Sequence, residues 1–253
     1  DATYLISGDW PPALIGSISQ TAISVVNDQI RAIPNLRVVR AYYDLAQAEN
    51  REMIHWLVGD RADDIRFRLR ELLWSDEVLN SYSMVIIDCP PRFTTGAIQA
   101  IAAATHVLIP TKLDSPSTDA VVTFGRQIEI LRDAGVCPDI NYAGVVATMI
   151  RGPVNYEPDR LALNDKLAQT WDAGGLNAKT ACLPDDFDIS ESVAFGDAAD
   201  KGIAYHVLGN KQQDRTLKDQ FRRLGHTVAV NMHLPPAFQG IDTNATTPTR
   251  AMA

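Results

Sequence analysis

Asp88 closes an apolar run, Met84 to Ile87, and is followed by Cys89 and two prolines, Pro90 and Pro91. An apolar run that stops so abruptly reads as a strand buried on both faces of a parallel sheet. The prolines end it, because they bring no N–H to a ladder. Asp88 is then expected at the carboxyl end of a central strand, where open α/β sheets take their ligands. A carboxylate there suits a Mg²⁺–phosphate site. Mg²⁺ prefers oxygen ligands, keeps several waters and needs only one or two carboxylates. The chemistry open to Asp88 is to hold a metal-bound water or to orient an attacking one; a cap or turn role is the plainer alternative.

A second group is basic. Lys211, Arg215, Lys218, Arg222 and Arg223 crowd into thirteen residues. Spacings of three and four put Arg215, Lys218 and Arg222 on one helix face. Such a face fits non-specific, salt-sensitive contact with phosphates. It fits a solvated helix face equally well, since Asp214 and Asp219 interrupt the charge. The five histidines are scattered without metal-ligand spacing, and no Ser-His-Asp set can be argued.

The elements that must position these residues follow from periodicity. Residues 16–33 carry Ile18, Ala22, Val25, Val26, Ile30 and Ile33 at helical spacing, with Pro34 as a stop. Leu36 to Arg40 reads as a strand, and Asp44 as the N-cap of a helix to about Leu57. Asp63 to Leu79 reads as one helix. Strands are expected near 84–88, 106–110, 143–148 and 179–183, and helices near 94–104, 117–134, 157–172 and 212–232. Alternation of this kind predicts βαβ units and a mostly parallel sheet, the α/β class. From Pro235 the tail is rich in Pro, Thr, Ala and Asn, and disorder is expected.

Composition narrows the function classes. With 253 residues, the chain can form one large α/β domain or two small ones. A net charge of −8 argues against a generally basic nucleic-acid binder and leaves room for a local basic patch. Cys89, Cys137 and Cys182 are odd in number and widely spaced, so neither a zinc site nor a redox pair is indicated. No apolar run approaches the length of about 20 residues that crosses a bilayer.

The chain also resembles a family. Residues 83–91 are similar to the second nucleotide-binding motif, hydrophobic-hydrophobic-Asp-x-Pro-Pro, of the ParA/MinD ATPases. These are deviant P-loop enzymes that position DNA, plasmids and other cargo. Asn35 to Glu49, NLRVVRAYYDLAQAE, resembles that family's strand and "dLa-x-aE" helix start. His106 to Pro110 resembles its next strand, and Leu183 to Gly196, LPDDFDISESVAFG, its "iPrn-x-x-x-sEa-x-x-x-G" segment.

The resemblance implies a mostly parallel, doubly wound sheet of the P-loop NTPase type, three layers αβα, in a domain over residues 1–234. It implies an ATPase using ATP and Mg²⁺, with Asp88 catalytic and holding Mg²⁺ through water. Pro90 and Pro91 would fix the second switch. Thr148, Met149, Pro184 and Asp185 fall where the family places its adenine pocket, and Glu191 would reach the base or ribose. The resemblance further implies a homodimer sandwiching ATP, non-specific DNA bound through the Lys211–Arg223 cluster, and a ParB-like activator. A cytoplasmic, nucleoid-associated protein of plasmid or chromosome partition is the expectation. Asp185 and Asp186 replace the usual basic or amide residues, and Ser192-Val193 the usual Ala-Pro.

The family's phosphate loop, KGGxGK[ST]T, has no counterpart here, nor does any G-x-x-x-x-G-K-[ST]. The opening Ala-Thr-Tyr-Leu-Ile-Ser-Gly resembles the segment after the family's first switch, so the N-terminal strands and loop are expected to be missing. Such a loop cradles phosphates with backbone N–H groups, so this chain alone is expected not to hydrolyse ATP. Two other readings stay open: a non-catalytic binding module on the same scaffold, and a MinD-like membrane-cycling ATPase. The polar end, Gly240 to Ala253, lacks the amphipathic helix the latter needs.

Overall fold

The computed structural model describes residues 20–26, 29–39, 45–60, 63–90, 92–171, 182–195 and 211–234. Five strands and seven α-helices are defined among them: β1 Gln20–Val26, β2 Gln29–Val38, α1 Leu45–Leu57, α2 Arg68–Leu73, α3 Asp76–Ser81, α4 Thr95–Ala103, β3 His106–Thr111, α5 Ser115–Asp133, β4 Asn141–Ile150, α6 Glu157–Trp171, β5 Ile189–Ser190 and α7 Gln212–Asn231. The architecture is α/β with a parallel sheet and helices. Contacts divide the chain into two compact units.

The first unit comprises Asp1–Val107, Thr123–Asn141 and Phe195–Val207. It opens with an antiparallel hairpin, β1 on β2, running from Gln20↔Val38 to Val26↔Gln29. This corrects the helix expected over 16–33. Helical spacing was present, but so was strand alternation through Thr21, Ile23 and Val25. Stiff β-branched side chains favour the latter. Pro34 does not stop a helix. It lies where the register shifts between Thr21↔Arg37 and Ile23↔Ala32, and a bulge is where a strand tolerates a residue without an N–H.

The single helix expected over 63–79 is three pieces: a 3₁₀ turn Ile65–Phe67, α2 and α3. The break falls at Trp74-Ser75. Trp74 donates its indole N–H to Ala103 O at 2.8 Å, and Ser75 Oγ donates to Leu72 O at 2.8 Å. Both bonds draw the chain out of helical register. Leu69, Leu72, Val78, Ala100 and Ala103 form the core here, with Val39, Leu73, Tyr82 and Ile87 packed against it.

A third correction concerns the run before Asp88. Residues 84–88 belong to no ladder among the described residues. Met84 is 39% exposed, Val85 47% and Ile86 84%. Only Ile87 joins the core. Apolar character on both faces marked a segment fit to be sandwiched; in this structure one face is used.

The second unit comprises Leu108–Val122, Tyr142–Ala194 and Leu208–Ala253. Its sheet has the order β3-β4-β5. β4 and β5 run parallel, with Thr148 opposite Ile189 and Ile150 opposite Ser190, and a further parallel bridge joins Val145 to Cys182. β4 is the central strand, and Ala143 to Ala147 are all buried. That run is continuous because neither face meets water, the pattern of a parallel sheet. Gly144, at φ +139°, holds a backbone conformation that other residues rarely adopt, and Leu183 Cδ2 lies 3.0 Å from where a Cβ would stand, so a larger residue there would be strained and would press on Leu183. α6 buries Leu163 and Leu167, one turn apart. α7 buries Asp214, Leu217 and Ala229, and Asn231 Nδ2 donates to Ala143 O at 2.8 Å.

Helices expected near 94–104, 117–134, 157–172 and 212–232 correspond to α4, α5, α6 and α7. The strands expected near 106–110 and 143–148 correspond to β3 and β4, and β5 was not anticipated. Asp44, most of the strand expected at 179–183, and the tail from 235 lie outside the described residues.

Candidate functional site

In the first unit Asp88 sits exposed on the loop between Ile87 and α4. Ile87 anchors the loop on one side by packing into the core. Pro90 is half-buried, and Pro91 lies outside the described residues. The far side is fixed by the carboxylate of Glu49, the last residue of the Asn35–Glu49 segment. Thr94 caps α4, its hydroxyl accepting from Ala97 N–H at 3.2 Å. Glu49 Oε1 then accepts from Thr94 Oγ at 3.0 Å and from Gly96 N–H at 2.7 Å. Glu49 thus reaches from α1 to the first turn of α4, where orphan N–H groups and the helix dipole favour negative charge. The Phe93 and Phe124 rings pack with centroids 5.3 Å apart.

Among the described residues no three His, Cys, Asp or Glu side chains are grouped to hold a metal. The single exposed carboxylate of Asp88 still fits Mg²⁺, which completes its shell with water and substrate phosphate oxygens. It does not fit an ion that needs an all-protein cage.

The other expected residues lie in the second unit: Thr148 and Met149 near the carboxyl end of β4, Glu191 just past β5, and Pro184 and Asp185 on the segment that enters β5. Thr148 Oγ donates to Thr111 O at 3.1 Å, tying the end of β4 to the end of β3. Met149 follows with φ 58° and a 44% exposed side chain. A methionine in the left-handed region stores about 1–3 kcal/mol of strain, which persists where surroundings over-determine it. Pro184 and Asp185 are exposed and open the 3₁₀ turn Asp185–Phe187 that leads into β5.

Glu191 N–H donates to Ile150 O at 3.0 Å. Its carboxylate receives both Nε and Nη2 of Arg151, the latter at 3.0 Å. That paired bond, with Lys112 also nearby, holds the Glu191 carboxyl below the usual glutamate range and raises Arg151. Glu191 therefore arrives already engaged. Asp114, just past β3, accepts from Ser117 N–H at 2.8 Å at the start of α5, and this lowers its carboxyl pKa.

Beneath the turn lies a buried ion pair with no local sequence signal. Arg160 of α6 donates to Asp188 Oδ2 at 2.5 Å, to Leu183 O at 2.6 Å and to Cys182 Sγ at 3.4 Å. Arg160 and Asp188 are 6% and 8% exposed. Burial pushes the Asp188 carboxyl up, against the pull of Arg160. The guanidinium brackets Pro184 and Asp185 from both sides. Burial raises the Cys182 thiol as well, so it is no nucleophile.

The basic cluster falls on α7 and at its cap. Lys211 is the N-cap residue, and Arg215, Arg222 and Arg223 are exposed while Lys218 is half-buried. Arg222 Nη2 is bound to Asp219 Oδ1 at 2.6 Å, which offsets part of the positive face. Thr148 and Met149 thus lie near the end of β4 and Glu191 just past the adjacent β5, with Pro184 and Asp185 on the turn that leads into β5. Asp88 stands in the other unit.

A family model described as an AAA domain matches residues 13–141, just over half of the chain. This chain belongs to the ParA/MinD-type family of P-loop partition ATPases. The chromosome partitioning protein ParA of Myxococcus xanthus is 32% identical over 120 residues, covering 47% of this chain and 39% of that protein. ParA of Caulobacter vibrioides is 28% identical over 165 residues, covering 65% of this chain and 56% of the relative. The chain thus spans about two-fifths to just over half the length of these relatives. McdA of Cyanothece, without nucleotide, superposes with a TM-score of 0.57 at 18% identity, over 82% of this chain and 71% of that one. A McdA variant in complex with ATP gives 0.52 at 19% identity, over 75% and 64%. At such identities the likeness shows the fold.

For a ParA/MinD-type chain, the residues sequence reasoning missed are those that work through another residue. Arg151, Glu49, Arg160 and Lys112 each act across a long sequence separation, and only Glu49 falls within a segment that resembles a family motif. No helix among the described residues is long and apolar enough to cross a membrane.

Proposed function

We propose that this chain is the core of a ParA-like ATPase that positions or segregates DNA, hydrolysing ATP at a dimer interface. The observation that carries the reading is family membership across residues 13–141, which include Asp88 and the prolines that follow it. The ATP-bound McdA neighbour, of like fold, agrees with a nucleotide ligand. Bound Mg²⁺ would supply charge neutralisation for the phosphates. Asp88 would hold one of its waters or orient the attacking one, with Pro90 and Pro91 shaping the loop. Thr148, Met149, Pro184, Asp185 and Glu191 would contact the base and ribose, where apolar side chains and exposed backbone suit a flat heterocycle.

The partners follow from the same reading. The ATP-bound form would be a homodimer. Lys211, Arg215, Lys218, Arg222 and Arg223 would meet DNA phosphates without sequence preference, and a ParB-like protein would stimulate hydrolysis. A cytoplasmic site of action on the nucleoid is the corresponding proposal.

A second reading is a non-catalytic module on the same scaffold, which would work without a phosphate loop. Phosphate release from Mg²⁺-ATP by the whole protein separates the two. Turnover stimulated by duplex DNA and a partner supports the ATPase. Nucleotide binding without turnover, or no binding at all, supports the module.

A further inference from the structure

We infer that Gln220 is a positioning residue that couples nucleotide binding at the Pro184–Glu191 segment to DNA binding on the outer face of α7; this rests on the function proposed above. Two hydrogen bonds carry it. Gln220 Oε1 accepts from Ser190 N–H at 3.2 Å, and Gln220 Nε2 donates to Ser190 Oγ at 2.9 Å. The backbone N–H can only donate, so this pairing fixes the orientation of the amide. One side chain therefore reads both the backbone and the hydroxyl of the residue next to Glu191.

The helix geometry divides the labour. Gln220 lies three residues after the buried Leu217, on the side of α7 turned to the sheet. Arg215, Lys218 and Arg222 occupy the opposite side. α7 packs against both the Asp185–Phe187 turn and β5. The 182–188 segment is itself stiff, held to β4 by Leu183 N–H on Val145 O at 2.8 Å and to α6 by Arg160. A ligand that shifts Glu191 or the Asp185 turn must shift Ser190, and Ser190 has α7 on a two-point tether. By linkage, whatever nucleotide does to DNA affinity, DNA does to nucleotide affinity.

Gln220 carries no charge, and this makes the inference separable from simple loss of a DNA contact. Removing a phosphate-binding cation lowers the salt slope of DNA affinity by about one. Replacing Gln220 leaves that slope unchanged and removes the nucleotide effect. The test uses the whole protein, a short random-sequence duplex DNA read by fluorescence anisotropy across a salt series, and a non-hydrolysable ATP analogue with Mg²⁺. The wild type is expected to change DNA affinity about fivefold or more on adding the analogue. Gln220→Leu is expected to bring that ratio to within about twofold of unity, with the wild-type salt slope. Gln220→Glu keeps an acceptor for the Ser190 N–H and falls between. Ser190→Ala, which loses only the hydroxyl, provides a second, milder variant and moves the ratio the same way. A wild-type ratio in Gln220→Leu and Ser190→Ala overturns the inference. A wild type that binds both ligands, each indifferent to the other, overturns it while leaving the ATPase proposal standing. A wild type that binds no nucleotide, or no DNA, removes the proposed function and the inference together.

Discussion

Arg160→Met should destabilise the second unit strongly, and by an amount that grows with pH. The substitution keeps most of the apolar stem of the side chain but shortens it and removes the guanidinium that makes all three bonds. It strands the Leu183 carbonyl and the Asp188 carboxylate, whose Oδ1 already has no hydrogen-bond partner among the described residues. Removing one partner of a buried pair costs about 3–5 kcal/mol, because the other charge is left without compensation. The variant has one escape, which is to protonate Asp188. Taking up that proton costs about 1.4 kcal/mol for each pH unit above the pKa.

The sign follows. In the variant the folded-state pKa of Asp188 lies well above its unfolded value, so folded protein binds the extra proton. Stability is then retained at low pH and lost as pH rises through the folded pKa. The deficit relative to wild type should be about 3–5 kcal/mol at about pH 7 and smaller by roughly 2–3 kcal/mol at about pH 5. Arg160→Met combined with Asp188→Leu should recover most of the loss, since an apolar pair of similar volume is often as good as the ion pair. Urea denaturation followed by circular dichroism at both pH values measures all three proteins. A deficit below about 1 kcal/mol, or one that does not change with pH, refutes the reasoning and removes Arg160 as the clamp on the Pro184–Asp185 turn.

Two further outcomes are expected. Glu49→Ala removes the acceptor for Thr94 Oγ and Gly96 N–H and should cost about 1–3 kcal/mol, with faster amide hydrogen exchange in the first turn of α4; unchanged exchange at Gly96 would contradict the latch. Cys89 is exposed while Cys137 and Cys182 are buried, and burial raises both buried thiols. A thiol reagent should therefore label Cys89 alone in native protein and reach the other two only after unfolding. Native labelling of Cys182 would mean that the packing around Arg160 is wrong.

The parts of the fold legible in the sequence were those whose pattern is set locally. β4 shows as an unbroken apolar run, and α4 and α5 show by period. The failures have physical causes. Residues 16–33 satisfied two periods at once, and β-branched content decided for strands. Residues 84–88 were recognised as apolar on both faces, but pattern does not say whether a neighbouring strand lies alongside, and here Ile86 is exposed. Trp74 and Ser75 broke a helix through bonds to Ala103 and Leu72, which no propensity encodes.

The candidate site divides the same way. Asp88, Glu191 and Pro184 stand out by residue type at strand ends or by motif. The groups that fasten them do not. Arg151 meets Glu191 across 40 residues, Arg160 meets Asp188 across 28 and Gln220 meets Ser190 across 30. Each lies on a different element from its partner, so only the fold brings them together.

Asp88 is proposed to serve hydrolysis of Mg²⁺-ATP. Asp88→Asn in the whole protein tests it most directly, because the change is isosteric and Asp88 is exposed, so folding should be unaffected. Phosphate release should fall by about 100-fold or more in kcat while nucleotide is still bound. Turnover at the wild-type rate in Asp88→Asn would contradict the assignment.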